Sequence, residues 1–347
     1  MRRIHPLLAL ILVFLFAASP AFAIPQLRVV GSWSNLTAYL NLEEPFWTKK
    51  LPEALGGKTE VIMTSLGQVN LSGAAVLRAM DQSLFDVVHT VADYVVSDCP
   101  ELAGLDLPAL APDIETARKV VEAYRPVLEK TLEGCFNAKL LTIMPYPAQV
   151  LFSNEKIGSL EDLKGKKIRA SGWTTAEFIE ALGATGVNLA FSEVPQSLQR
   201  GVVDGAVTGS LSGFNAGWGE VAKYLYPLPI GGWDYIIGVM RMDTWKGLSP
   251  EEQQTLTALI EKELEIPGWN ATDRETQLGI ACLTGQGECP GKTPAALELI
   301  PVAPGDLELA RKILVERVLP AWAQKAGPEA VARWESTIGA VTGLKAK

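Results

Sequence analysis

Short runs of β-branched and apolar residues alternate along this chain with longer stretches whose apolar positions recur every three or four residues. The short runs predict strands and the longer stretches helices. Strands are expected at Leu27 to Val30, Val61 to Thr64, Val87 to Val91 and Leu140 to Met144. Helices are expected from Gly73 to Met80 and from Ile114 to Leu132, where Val120, Val121, Tyr124 and Leu128 share one face. A second set repeats the order without repeating the sequence: Val150 to Phe152, Ile168 to Ala170 and Val187 to Phe191, with a helix from Thr175 to Leu182. Strands separated by crossover helices are the pattern of α/β folds with mainly parallel sheets.

Tyr235 to Met242 predicts one more strand, and Ser249-Pro250-Glu251-Glu252 then opens a helix. Serine with a glutamate three residues on forms a capping box, and proline is at home in the first helical position. That helix carries Leu256, Leu259, Ile260 and Leu264 on its apolar face. Pro267-Gly268 is expected to interrupt or bend it before an amphipathic continuation to about Ile280. Two amphipathic helices, 306–318 and 329–341, close the chain.

The first residues follow neither pattern. Arg2 and Arg3 precede an apolar run from Leu7 to Ala18 and then Ala21-Phe22-Ala23. This is the layout of a cleavable signal peptide over residues 1–23, and its apolar run is shorter than the roughly 20 residues that span a bilayer. No cysteine follows the run to take a lipid anchor. Removing 23 of the 347 residues leaves 324, enough for two lobes, and no linker marks a single boundary between them. Loss of the two arginines takes the formal charge from -8 to -10, an acidic balance that argues against nucleic acid as a partner. No later segment is apolar enough to span a membrane, so the mature product is expected not to be membrane-embedded.

In an exported chain, four cysteines suggest disulfides before metal or redox chemistry. Cys282 and Cys289 bracket a short flexible stretch whose ends can meet. Cys99 with Cys135 follows by elimination, with buried free thiols as the alternative for either pair. Catalytic chemistry is thinly represented. His89 is the one histidine left after cleavage, so a histidine-based metal centre or a Ser-His-Asp triad lacks parts, and no Gly-x-Ser-x-Gly elbow is present. No glycine-rich phosphate loop appears either. No cofactor, no metal and no enzymatic activity are expected. Trp33, Trp173, Trp218 and Trp233 instead sit on Gly- or Ser-containing turns at strand ends, where open α/β sheets place ligands.

The most informative block holds Gly158-Ser159-Leu160-Glu161-Asp162-Leu163-Lys164-Gly165-Lys166-Lys167-Ile168-Arg169, then Ala181-Leu182-Gly183-Ala184, Phe191-Ser192-Glu193-Val194 and Leu198-Gln199-Arg200-Gly201-Val202-Val203-Asp204-Gly205. It resembles the substrate-binding proteins of tripartite ATP-independent periplasmic (TRAP) transporters, the DctP-like family. The resemblance implies a two-lobed periplasmic binding protein fold (type II-like) in which a long helix bridges both lobes. It implies lobes of 24–148 with about 230–275, and 149–229 with about 276–347, closing on a small organic acid for delivery to membrane permease subunits from the periplasm. It assigns Arg169 to the ligand carboxylate, which a planar guanidinium grips in bidentate fashion.

Gln149 stands where many such proteins carry arginine, and Thr208 replaces their usual asparagine. Both changes favour a monocarboxylate or an amphipathic acid over a solute with a second carboxylate. By position, His89, Trp33, Asn35, Trp173 and Tyr146 are further contact candidates. Trp233 and Asp234 fall at the return crossing, where they line the pocket or stiffen a hinge. An ABC-type solute receptor without the long bridging helix and an exported hydrolase are the competing readings.

Overall fold

Two separate sheets emerge from these patterns in a computed structural model that describes residues 26–346 apart from Lys58 and Ser72. The segment read as a signal peptide lies outside the described residues. The first sheet holds β1 (Gln26–Gly31), β2 (Glu60–Ser65), β3 (Val87–Val91), β4 (Ala138–Met144) and β10 (Ile236–Arg241), in the order β2-β1-β3-β10-β4. The second holds β5 (Gln149–Ser153), β6 (Lys167–Ala170), β7 (Thr185–Asn188), β8 (Gly205–Gly209), β9 (Tyr224–Tyr226) and β11 (Glu298–Leu299), in the order β11-β9-β5-β8-β6-β7. Helices cover the sheets, as their apolar faces require.

The expectation of mainly parallel sheets is corrected. β1 runs parallel to β2 and β3, but β10 enters between β3 and β4 antiparallel to both. In the second sheet β5 is antiparallel to β8 and β9, while β6 is parallel to β7 and β8. The cause is the chain path: each antiparallel strand is one that has just crossed from the other sheet. Residues 145–148 carry the chain from β4 to β5, and residues 227–235 return it from β9 to β10. These crossings are bonded to each other. Tyr146 donates its N–H to Trp233 O at 2.9 Å, and Gln149 donates to Gly232 O at 3.1 Å. The run expected as a strand to Phe191 ends at Asn188, and Phe191–Glu193 begins a helical turn.

Ser249 caps the long helix as its sequence predicts. Its hydroxyl accepts Glu252 N–H at 3.2 Å, and the Glu252 carboxylate accepts Ser249 N–H at 2.6 Å. Pro267 does not interrupt it. The chain stays helical from 250 to 283, with a wide π turn at Glu261–Glu265 just before the proline. Such a turn absorbs the misfit left by a missing N–H and a bulky ring.

This helix touches both lobes. Trp269 donates its indole N–H to Ile143 O at 2.9 Å beside β4, and Thr276 accepts Ala148 N–H at 3.0 Å. Gly279 lies so close to Ser210 and Leu211 that a Cβ would stand 2.2 Å from a backbone nitrogen, so only glycine lets the helices meet there.

The tail begins on the second lobe, where the Asp306 carboxylate accepts from Leu160 N–H and the Tyr226 hydroxyl. It ends against Pro100–Leu105 of the first, through Trp322 Nε1 to Pro100 O and Trp334 Nε1 to Gly104 O. Cys99–Cys135 and Cys282–Cys289 are both disulfides, with Cα separations of 6.3 and 5.6 Å.

Candidate ligand-binding site

The paired crossings bring residues of both lobes to one small cavity, about large enough for a single water, beside the ends of β1, β3, β5 and β8. Trp33 and Leu36 come from the segment after β1, Tyr94 from the turn after β3, Tyr146 from the outgoing crossing, Gln149 from the start of β5 and Asp234 from the return. Phe191, Thr208 and Ser212 close the second-lobe side. The aromatic rings support one another. Trp33 meets Tyr94 edge-on at 5.6 Å between centroids, Phe191 at 5.5 Å and Tyr146 at 6.4 Å. Gln149 is pinned by its own Nε2, which donates to Pro147 O at 3.0 Å.

Arg169 stands on β6 and is 1% exposed. Its Nε donates to Leu189 O at 3.0 Å, one Nη to Val207 O at 2.8 Å and the other to the Tyr94 hydroxyl at 3.4 Å. The guanidinium lies over the face of Trp218, 5.8 Å from its centroid. Trp218, one of the turn tryptophans, is thus a buried floor beneath the arginine. A guanidinium has five N–H donors, so two are not engaged by these bonds. Among the described residues no carboxylate lies within ion-pair distance of Arg169.

At the mouth of the cleft the lobes touch directly. Ser171 donates its hydroxyl proton to Asp93 Oδ2 at 3.1 Å, and Gly172 leaves room for that carboxylate at the start of the helix Trp173–Ala181. This is a closed arrangement. On the return crossing, the Asp106 carboxylate accepts the backbone N–H of Trp233 at 3.0 Å and of Asp234 at 2.6 Å. It thereby holds Asp234 at a φ of 50°, a region that non-glycine residues seldom occupy. Burial pushes the Asp93 carboxyl up to about 6 against the pull of Ser171 and Arg169, and Asp106 up to about 7. Burial, then repulsion from Asp93 and Asp106, raises Asp234 well above its ordinary range.

Of the residues singled out from sequence, Gln149, Thr208, Trp33, Tyr146 and Asp234 line one cavity, while Arg169 lies behind it and touches its wall through the Tyr94 hydroxyl. Trp173 stands at the cleft mouth, with the Lys325 ammonium 4.6 Å from its ring centroid. Asn35 is exposed and does not line the cavity. Trp233 points away, donating its indole N–H to Ala111 O at 3.0 Å, so it stiffens the crossing.

His89 is a correction. It is fully buried in the first sheet, accepts the Trp47 indole proton at 2.8 Å and does not reach the cavity. Burial pushes its pKa down to about 3. The first-lobe contacts are instead Tyr94 and Asp93, just past the end of β3. Their strand-end position was the available signal. Phe191 and Ser212 carried none beyond lying in or near the informative block.

Comparison with known proteins agrees with this architecture. Residues 33–278 match the family model described as bacterial extracellular solute-binding protein, family 7 (DctP). The chain is 28% identical over 241 residues to the uncharacterized protein YiiZ of Salmonella typhimurium, covering 67% of this chain and 72% of that one.

Among solved structures, it resembles a TRAP periplasmic solute-binding protein of Desulfovibrio salexigens with bound orotic acid. The TM-score is 0.80 at 19% identity, over 91% of this chain and 99% of the other. It also resembles DctP7, an extracytoplasmic solute receptor of Bordetella pertussis binding pyroglutamic acid, with a TM-score of 0.77 at 21% identity over 90% and 98%. The fold is that of the two-lobed TRAP solute-binding proteins, and the chain belongs to bacterial extracellular solute-binding protein family 7, the DctP family.

Proposed function

We propose that the mature chain is the periplasmic receptor of a TRAP-type transporter, exported by residues 1–23, which binds a small organic acid between its lobes and passes it to membrane permease subunits. The observation that carries this reading is Arg169: a guanidinium almost wholly buried, fixed by two carbonyls, and without a carboxylate partner. Burying an unpaired charge costs several kcal/mol, so the site is built for an anion that arrives from outside. A ligand carboxylate supplies it. Orotic and pyroglutamic acids in the structural relatives are acids of suitable class.

The lobe division belongs to the same reading: 24–148 with about 230–275, and 149–229 with about 276–347, the end of the tail returning to the first. Because the cavity draws on both lobes, a bound solute favours the closed state over the open one and shifts the population toward it. No step requires catalysis. Mass spectrometry of solute released from the purified, denatured protein tests the proposal, with a thermal-shift screen of organic acids beside it. A carboxylic acid released, or stabilising the protein, is expected. An empty result in both sinks the reading.

A further inference from the structure

Arg169 meets the space between the lobes through a residue of the opposite side. Two of its three guanidinium nitrogens are tied to backbone carbonyls, Nε to Leu189 O and one Nη to Val207 O, and the third has the Tyr94 hydroxyl as its contact at 3.4 Å. Arg169 itself lines neither the inner cavity nor the roomier groove at the cleft mouth. Tyr94 lines both and stands as the partition between them. A solute entering from the mouth thus passes Tyr94 before it reaches the inner cavity.

The direction of the Arg169–Tyr94 bond follows from the chemistry of the two groups. A guanidinium only donates, so the phenol oxygen must accept, and its own proton points elsewhere. Among the described residues no acceptor takes that proton. Asp93 and Asp234 are close enough to act on the phenol, but Asp93 accepts from the Ser171 hydroxyl instead, and Asp234 accepts no hydrogen bond among the described residues. A hydroxyl that accepts from a cation is polarised and becomes a stronger donor in turn.

The tyrosine is held in place on two sides. Its ring meets Trp33 edge-on at 5.6 Å, and its neighbour Asp93 is bonded across the cleft to Ser171 at 3.1 Å. Tyr94 follows β3 of the first sheet, whereas Arg169 stands on β6 of the second. Their contact is therefore made only when the two halves come together.

Resting on the receptor reading above, we propose that Tyr94 is the residue that presents the arginine's charge to the solute: its hydroxyl accepts from Arg169 and donates to the carboxylate of the bound acid. Arg169 then acts as a positioning and polarising residue behind it. The acid is recognised by a donor from one lobe that is primed by a cation from the other, so the contact favours the closed state alone.

Calorimetric titration of the chain lacking residues 1–23 tests this with three acids and their neutral amides: L-pyroglutamate, L-lactate and benzoate against L-pyroglutamamide, L-lactamide and benzamide. Tyr94→Phe keeps the ring against Trp33 and removes only the hydroxyl. It is expected to weaken each acid that the parent binds by about tenfold or more, as loss of a hydrogen bond to a charged group does, and to leave binding of the amides unchanged. Acids that bind Tyr94→Phe as tightly as the parent, or more tightly, overturn the inference and leave the receptor reading standing, since the carboxylate then reaches Arg169 directly. Failure of all three acids to bind the parent counts against the receptor reading and takes this inference with it.

A double-mutant cycle distinguishes a polarised donor from a tyrosine that merely packs. Tyr94→Phe combined with Arg169→Ala is expected to lose no more acid affinity than Arg169→Ala alone. Losses that simply add overturn the pairing of the two residues.

Discussion

Trp47 donates its indole N–H to Nε2 of His89 at 2.8 Å in a part of the first lobe where both side chains are fully buried. Indole nitrogen only donates, so Nε2 must be bare and the proton of the neutral ring must sit on Nδ1. Nδ1 faces Glu43 Oε1 at 3.7 Å, beyond hydrogen-bond reach. Nitrogen-edge NMR of the imidazole is expected to show one neutral tautomer down to about pH 4, its pKa lying near 3.

The unfolded chain, with histidine near 6.5, holds more protons between those values, so this group lowers stability as pH falls from about 6.5 toward 3. Glu43 acts in the opposite sense. Burial raises its pKa to about 7, so its contribution is complete below about 4.5 and is lost as pH rises through 7. A His89 that titrates near 6.5 in the folded protein contradicts this.

Arg169→Ala is expected to reduce acid binding by about a hundredfold or more, as loss of a buried charge partner does. It should also destabilise the empty protein by about 1–3 kcal/mol, because Leu189 O and Val207 O lose their donor. A purely surface arginine would show neither effect. Arg169→Lys restores charge without the fork and should recover only part of the binding. Calorimetry paired with thermal melts separates the two contributions.

Gly172 supplies a test of closure. Its backbone is extended, at a φ of -145°, so alanine is free to adopt it. The added Cβ, however, would stand 2.0 Å from the Asp93 carboxylate across the cleft. Gly172→Ala is expected to leave the melting of the empty protein unchanged within about 0.5 kcal/mol while weakening ligand binding. Small-angle scattering should find no contraction at saturating solute. Contraction equal to that of the parent protein rules the argument out.

The two disulfides close loops of unequal length, with sequence separations of 36 and 7. On chain entropy alone, Cys99–Cys135 stabilises by about 4 kcal/mol and Cys282–Cys289 by about 2 kcal/mol. Replacing the first pair with serine should therefore cost more in denaturant unfolding than replacing the second. The reverse order would show that local packing outweighs loop closure here.

Local periodicity placed most strands within two residues of where they lie, and the Ser249 cap opened its helix where expected. Sheet direction was not legible, because nothing in Ile236–Arg241 itself states that it inserts between β3 and β4. That follows from a crossing 227–235 whose path is set by bonds to residues 145–149. Arg169 was legible through its surrounding motif. Its lack of an ion-pair partner was not, since this depends on where Asp93 and Asp234 stop short. His89 misled for a simple reason: a histidine near a strand end reads as a contact whichever face of the sheet it takes, and here it faces Trp47.

The long helix has one further mechanical meaning. Its anchors to the two lobes, the Trp269 indole on Ile143 O and the Thr276 carbonyl on the Ser210 hydroxyl, are separated by two turns of regular helix, about 10 Å of rod. A rod of that length neither stretches nor folds at ordinary temperature. It acts as a hinge pin set behind the cleft, so the lobes swing about it as a door does and cannot slide apart as a drawer would.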